Sequence, residues 1–195
     1  MKCGKPVLGE RQEYCHDCMH THHYYDRGFP LWLHREPVSQ SVYQFKFHNQ
    51  REFAKYYVEE ILYGYDAIIR AWNPDFIIPV PMYPGKQRKR GYNQAQILAE
   101  ELGKRMDIPV EHKIVRRVKK TIPQKRLEPL KRKMNLESAF EIQTEKDSDI
   151  LSGKTVLLVD DIYTTGSTID AVSKILKKAG VQKVYYLSIS IGQGY

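Results

Sequence analysis

Along the chain, short continuous apolar runs alternate with stretches of helical period. Thr155-Val156-Leu157-Leu158-Val159 is β-branched and apolar throughout, the pattern of a strand buried on both faces of a parallel sheet. Asp160 and Asp161 stop that run. Ile169, Val172, Leu176 and Ala179 then recur at helical spacing with Ile175 beside them, Lys177 and Lys178 suit the negative end of a helix dipole, and Gly180 ends the element. The unit is strand, tight polar turn, helix. A second unit starts at Asp75-Phe76-Ile77-Ile78-Pro79-Val80-Pro81. Its closing prolines prevent further central pairing and can hold a fixed, even cis, backbone. Residues 85–94 lead from it as a loop into a helix from about Gln94 to Met106, with Ala95, Leu98, Leu102 and Met106 as the buried stripe.

The remaining patterns fill in a sheet-and-helix fold. Arg51 to Trp72 reads as a long helix with Phe53, Tyr57, Ile61, Tyr65, Ile68 or Ile69 and Trp72 on one face, ended by Asn73-Pro74. Aromatics at that spacing belong to a core rather than to a base-stacking surface. Ser41 to Phe47 alternates, with Tyr43, Phe45 and Phe47 on one face, and predicts a strand. Val110–Val118 is expected as another strand, Ala139–Ile142 as extended, Glu145–Asp149 as a polar connector, and Val184–Ser190 as a last strand. Such alternation predicts an α/β, mostly parallel, doubly wound sheet whose ligands sit beyond the carboxyl ends of the strands. The turns at 79–81 and 160–168 both lie at such ends and face one crevice.

A chain of 195 residues has room for one main domain and a small appendage. No apolar run is long enough to span a membrane, no signal peptide opens the chain, and three cysteines make no secreted disulfide framework; together these point to the cytoplasm. The net charge of +8 is concentrated. Lys86 to Lys133 holds 16 Lys/Arg against 5 Asp/Glu, a local +11, so the rest is slightly acidic. A block of that kind implies a polyanionic partner, pyrophosphate or nucleic acid. Within it, residues 119–133 have Pro123, Pro129 and many cations but no clear period. They read as a mobile flap able to close over a polyphosphate, exclude water and neutralise charge on a leaving group.

The turn Thr164-Thr165-Gly166-Ser167-Thr168 precedes a helix N-terminus, where unpaired amides and a partial positive charge favour an anion and hydroxyls add donors. It is a phosphate cradle, though not a P-loop, since Gly-x4-Gly-Lys-Ser/Thr is absent. Asp160 and Asp161 repel phosphate but suit a sugar diol or a magnesium ion nearby. Phosphate, diol and metal together describe a sugar phosphate. At the other end, Cys15-His16-Asp17-Cys18 has the spacing of a zinc knuckle and Cys3 stands twelve positions before Cys15. Cys3-Gly4-Lys5-Pro6 reads like the second half of another such pair whose first cysteine would lie just before Met1. His16, His20, His22 and His23 are alternative fourth ligands.

Val156 to Thr168, VLLVDDIYTTGST, resembles the ribose-phosphate signature of type I phosphoribosyltransferases. Ile78-Pro79-Val80-Pro81 with Arg88-Lys89-Arg90-Gly91-Tyr92-Asn93-Gln94-Ala95 resembles the PVP and R-x-R-G-[FY]-N-Q-A patterns of ComF proteins. Thr121, Pro123, Gln124, Leu127, Arg132, Asn135 and Ala139-Phe140 resemble a third ComF pattern. Cys3, Cys15 and Cys18 resemble the remnant of the family's N-terminal zinc ribbon, with one cysteine missing.

The resemblance implies a type I phosphoribosyltransferase-like domain over residues 38–195 and a zinc-ribbon remnant over 1–27. It implies binding of phosphoribosyl pyrophosphate (PRPP) with Mg²⁺: Asp160 and Asp161 at the ribose, directly or through magnesium, and as the catalytic pair. The 5′-phosphate falls to Thr164, Thr165, Gly166, Ser167 and Thr168. Pro79, Val80 and Pro81, with Arg88, Lys89 and Arg90, take the pyrophosphate. It further implies a role in DNA uptake during natural transformation, beside a helicase-like partner on single-stranded DNA. Two functions follow: a transferase acting on an unspecified acceptor, or a PRPP-regulated module that binds single-stranded DNA or the helicase.

Overall fold

The computed structural model describes residues 2–7, 13–119 and 138–192. From residue 120 onward the expected cationic flap, and with it Thr121 to Asn135 of the third ComF pattern, lies outside them. A short helix α1 (His16–His20) precedes β1 (Arg27–Leu33), α2 (Val38–Phe47), α3 (Phe53–Trp72), β2 (Phe76–Pro79), α4 (Pro84–Arg90) and α5 (Gln94–Met106). The chain continues through β3 (Val115–Arg117), β4 (Phe140–Ile142), α6 (Glu145–Leu151), β5 (Thr155–Tyr163), α7 (Ser167–Lys178) and β6 (Lys183–Ile191).

Four strands form a parallel sheet in the order β1-β6-β5-β2, and β3 and β4 form a small antiparallel pair. The apolar runs explain which strands are central. Val156, Leu157, Leu158 and Val159 of β5 and Val184, Leu187 and Ile189 of β6 are fully buried, as strands covered on both faces must be. Val156, Leu158 and Val184 pack with Ile169, Val172 and Leu176 of α7 and with Val115 and Phe140 of the small pair. Leu157, Val159, Leu187 and Ile189 pack with α2, α3 and α5 through Phe45, Ile61 and Leu98. Helical layers on both faces are the doubly wound arrangement expected from the alternation.

Several elements differ from their sequence patterns. Ser41–Phe47 lies in helix α2, not a strand: Val42 and Phe45, three apart, are buried, whereas Tyr43 and Phe47, four apart, share an exposed side. Helical pairing at i,i+3 and i,i+4 overrides the apparent alternation. Of Val110–Val118 only Val115–Arg117 is strand, with Val110 making one isolated bridge to Ile77. The connector after Thr144 is a helix turn, because the Thr144 hydroxyl accepts from the Asp147 amide at 3.2 Å and caps it. Residues 84–90 are helical too, started by Pro84 and ended by Gly91 at φ 88°. Among the described residues the cis peptide is Glu36–Pro37; the bonds of the 79–81 turn are trans.

Strand β1 had no forecast from pattern, and it is an edge strand of the main sheet. Asp26 pins its start. The Asp26 amide donates to the Val184 carbonyl (2.7 Å), while its carboxylate accepts from the Val184 amide (2.9 Å), Lys177 Nζ (2.7 Å) and Lys183 Nζ (3.1 Å). Burial alone would raise the pKa of this carboxyl, but Lys177, the Val184 amide and Lys183 outweigh it and hold the group below the usual range. A depressed folded-state pKa stabilises above the ordinary aspartate value, and that contribution disappears as the pH falls through the folded one. Asp26→Asn is therefore expected to lower unfolding free energy by about 1–2 kcal/mol at pH 7. Chemical denaturation at pH 7 and below pH 4 should show the gap between variant and parent closing in acid.

Candidate functional site

The site is built by a difference in strand length. Strand β2 pairs with β5 from Phe76↔Val156 to Pro79↔Val159, and the Val80 amide adds a final bond to the Val159 carbonyl at 2.9 Å. Pro81 has no amide to continue. On the other side β6 keeps pairing, Asp160↔Ser188, Ile162↔Ser190 and Tyr163↔Ile191. The strand therefore does not stop at the acidic pair, as the sequence pattern suggested, but runs to Tyr163 because β6 supports it. Residues 160–163 overhang β2 and form one wall of a notch at the carboxyl edge of the sheet.

Consecutive strand side chains point to opposite faces, and the two acids part accordingly. Asp161 Oδ1 is 2.9 Å from Lys46 Nζ of α2, and both side chains are largely buried. Asp160 accepts the Asp161 amide at 2.8 Å and lies within the field of Arg117 on β3. Burial, and then the adjacent Asp161 charge, push the Asp160 carboxyl up to about 7, although the Asp161 amide, Lys46 and Arg117 oppose the shift. Burial likewise lowers the pKa of the Arg117 guanidinium, and Asp160 raises it. Asp160 therefore holds its proton to a higher pH than an ordinary aspartate does. His34, just after β1, has Nδ1 2.9 Å from Ser190 Oγ; burial and then Lys46 lower its pKa, against Asp161 and Glu36, which favours the neutral imidazole.

The turn after β5 is open. Thr164 and Thr165 are exposed, Ser167 and Thr168 are half-buried, and Thr165 Oγ1 lies 2.8 Å from Ser167 Oγ. The first amides of the twelve-residue α7 have no intrahelical acceptor. Gly166 is required by shape. Its φ is 77°, and a Cβ there would lie 2.2 Å from Tyr163 Oη. That tyrosine cannot easily yield, since Oη is 2.8 Å from Tyr25 Oη and its ring stacks on Tyr186 at 4.9 Å. The turn has neither collapsed nor buried its hydroxyls.

The opposite wall is the 79–83 loop. Pro79 and Val80 are buried and Pro81 is half-buried. With two prolines, and the Val80 amide spent on Val159, the donors left in this loop are the amides of Met82 and Tyr83. Asn93 locks the loop: its Nδ2 donates to the Val80 carbonyl at 3.0 Å, and its Oδ1 caps α5 through the Ala95 amide at 3.2 Å. Its neighbours hold α2. Tyr92 Oη donates to the Phe45 carbonyl, and Gln94 Nε2 reaches the Lys46 carbonyl at 3.5 Å. The Gly-Tyr-Asn-Gln segment therefore positions both the loop and the helix end that brings Lys46 to Asp161. Arg88 and Lys89 are exposed on α4, whereas Arg90 bonds Gln94 and stacks 4.7 Å over Phe47. Lys46, His34 and Arg117 were not singled out from sequence. Lys46 and His34 carry no motif, and Arg117 was one cation in a block of sixteen.

The N-terminal cysteines converge. Cys3, Cys15 and Cys18 place their sulfurs within 4.8 Å of one another, with Cys3 Sγ 3.4 Å from Cys15 Sγ. A tetrahedral zinc with Zn–S of about 2.3 Å sets its sulfurs about 3.8 Å apart, so three thiolates fit. None of the four candidate histidines joins that group. His16 and His20 lie with ring centroids 4.5 Å apart, tilted at 52°, on α1, and His22 packs edge-on to Tyr24. His23 is buried with Nδ1 2.6 Å from Asp170 Oδ2, which ties this segment to α7. Cys3 and Cys15 belong to the same apolar core as Leu158 and Val172. Among the described residues no helix is long and apolar enough to cross a membrane.

Comparison with known proteins gives this geometry a lineage. The phosphoribosyl transferase domain family matches residues 56–189. Competence protein F of Haemophilus influenzae is 36% identical over 93% of this chain and 80% of that protein. The DNA utilization protein YhgH of Escherichia coli is 26% identical over 94% and 79%, and the competence protein ComFC of Bacillus subtilis 24% identical over 77% and 58%. A purine phosphoribosyltransferase structure from Pyrococcus horikoshii overlays with a TM-score of 0.40 at 17% identity, across 83% of this chain and 87% of that one, a likeness too distant to carry an argument. With the family matched across most of the chain and a relative above one-third identity along nearly all of it, the chain belongs to the ComF family of the phosphoribosyltransferase superfamily.

Proposed function

We propose that the notch between β2 and β5 binds PRPP with Mg²⁺ and that the protein serves DNA uptake, as the names of its relatives suggest. The observation that carries this reading is the overhang of β5. It sets an acidic pair and an open hydroxyl turn at the same sheet edge as the 79–83 loop. The 5′-phosphate sits on residues 164–168 against the first amides of α7. Asp160 and Asp161 meet the ribose, and the Met82 and Tyr83 amides, with Arg88 and Lys89, meet the pyrophosphate.

Transfer breaks the bond between C1′ and the pyrophosphate oxygen, forms a bond from C1′ to the acceptor, and releases the acceptor's proton to solvent. The ring passes through an oxocarbenium-like state. A carboxylate at Asp160 or Asp161 lies where it opposes the developing positive charge, and cations on the other wall oppose the negative charge of the leaving group. Asp160 and Asp161 would hold Mg²⁺ at the ribose, and the ion would supply further charge neutralisation there. Lys46 is the cationic partner of Asp161 in this structure, so a magnesium ion at that carboxylate would have to share or displace it.

A second reading is a module that binds PRPP without turnover while its work is on single-stranded DNA or a helicase-like partner. The exposed cations of α4 favour it. For the cysteine cluster, the convergence of three sulfurs supports a zinc site whose role is to brace the N-terminal segment against α7. Residues Cys3, Cys15 and Cys18 would hold the ion together with a fourth donor.

Calorimetry with Mg-PRPP is expected to show saturable heat in the parent protein and at least a tenfold loss of affinity in Asp160→Asn/Asp161→Asn and in Gly166→Ala. No heat in the parent would remove the assignment. A pyrophosphate-release screen over nucleobases, ammonia and DNA ends then separates transferase from module.

The raised pKa of Asp160 gives an independent check. Folded-state elevation of a carboxyl pKa means stability that is present in acid and lost as the pH rises through about 7. Without ligand or divalent cations, Asp160→Asn should therefore gain in Tm relative to the parent between pH 5 and pH 8.

Freshly purified protein should contain close to stoichiometric zinc by elemental analysis, lost in Cys15→Ser. Zinc-free parent protein with three free thiols would refute the metal.

A further inference from the structure

We infer that the carboxyl end of α2, together with the end of α4, is a stacking platform for the unpaired bases of single-stranded DNA. This names the surface for the second reading above and rests on it. Tyr43 and Phe47 stand one helical turn apart with ring centroids 5.0 Å from each other, and His48 adds a third ring 5.3 Å from Tyr43. These are not core residues. Tyr43 is 53% and Phe47 57% exposed, whereas Val42 and Phe45 on the same helix are buried. Three rings clustered outside the core form a small exposed aromatic patch.

The surroundings select the occupant. The Arg90 guanidinium lies 4.7 Å over the Phe47 ring, and the Arg51 guanidinium 4.6 Å over Tyr92, two residues away along the chain from Arg90. Arg88 and Lys89 stand exposed on the same short helix as Arg90. Arg90 thus touches the Phe47 ring itself, Arg51 lies over the neighbouring Tyr92, and Arg88 and Lys89 extend the positive charge along α4, with Glu52 as the acidic side chain next to Arg51 in sequence. An apolar protein surface would be poorly matched to that collar of charge. The rings are tilted to one another, Tyr43 at 46° to Phe47 and 50° to His48, so each offers its own face rather than one continuous layer; a chain that alternates flat apolar faces with regularly spaced phosphates matches both features, its bases on individual ring faces and its phosphates on Arg51, Arg88 and Lys89. Duplex DNA hides its base faces and offers only the phosphates.

Tyr92 and Gln94 fix the helix end that carries the rings by bonding the carbonyls of Phe45 and Lys46. Lys46, between Phe45 and Phe47, reaches Asp161 in the sugar-phosphate notch. The helix end that carries the rings is thus anchored, and it adjoins the notch through one side chain.

The test is fluorescence anisotropy of the full chain with a labelled oligo-dT, an abasic oligomer of equal length, oligo-rU and a duplex, at several salt concentrations. Tyr43→Ala/Phe47→Ala should weaken oligo-dT binding at least about fivefold, the lower end of one base–aromatic stack. Its salt slope should remain that of the parent, and abasic binding should not change. Neutralising Arg88 and Lys89 should instead flatten the slope. In Phe47→Trp, a partly exposed indole, oligo-dT but not the abasic oligomer should quench the added fluorescence. If the parent binds no oligo-dT, the single-strand reading itself fails. If the parent binds and the double variant binds equally well, that reading stands and the platform is wrong. Equal loss on abasic and dT strands, or preference for oligo-rU or duplex, also overturns the platform.

Discussion

The structure depends on the β5–β6 ladder continuing after β2 has stopped. Backbone amides and carbonyls inside a sheet must be paired, and for residues 160–163 β6 supplies the pairing on one edge alone. The prolines of the neighbouring loop end β2 at the same level. A strand held firmly on one side and open on the other can present two carboxylates at fixed positions without burying them completely. If β2 continued, or if β6 stopped early, the acids would sit either inside a sheet or on a loose loop. The tight Gly166 turn depends on the same ladder, because the Tyr163 ring that dictates glycine is the last residue of β5.

That arrangement carries an electrostatic penalty. Asp160 and Asp161 are adjacent, one is deeply desolvated, and the protein has arranged cations on both layers, Lys46 from α2 and Arg117 from β3. A purely structural site of this size would favour apolar side chains. A carboxyl pKa raised by burial and an adjacent charge, at the carboxyl edge of a parallel sheet, is consistent with the ligand site proposed above.

The sequence disclosed the sheet's centre and concealed its edges. Val156 to Val159 and Val184 to Ile189 were legible because burial on both faces leaves no room for polar residues. The helices α3, α5 and α7 were legible because each covers one face and keeps a stripe. Strand β1 was not, since Arg27-Gly28-Phe29-Pro30 has neither a continuous run nor alternation; its place comes from Asp26 and from pairing with β6. Helix α2 misled because Tyr43, Phe45 and Phe47 satisfy a period of two, while the face that buries is Val42 and Phe45. Pattern reads what is apolar, and it cannot tell an apolar residue that is buried from one left outside. The same blindness hid Lys46, which becomes meaningful only when the helix end is seen beside Asp161.

The Gly-Tyr-Asn-Gln segment spends its polar groups on other parts of the fold. Gly91 ends α4 in a left-handed conformation, Asn93 fixes the Val80 carbonyl and caps α5, and Tyr92 and Gln94 hold the final carbonyls of α2. Those carbonyls would otherwise lack partners at a helix C-terminus. Satisfying them with side chains from a different element sets the rotation and depth of α2, and with them the reach of Lys46 and the outward display of Tyr43 and Phe47. The motif's polar groups thus act on the notch and on the aromatic surface through one helix end. Loss of Tyr92 would loosen the helix end that carries both Lys46 and the Tyr43–Phe47 pair, whereas loss of Asn93 would loosen the 79–83 loop and the start of α5.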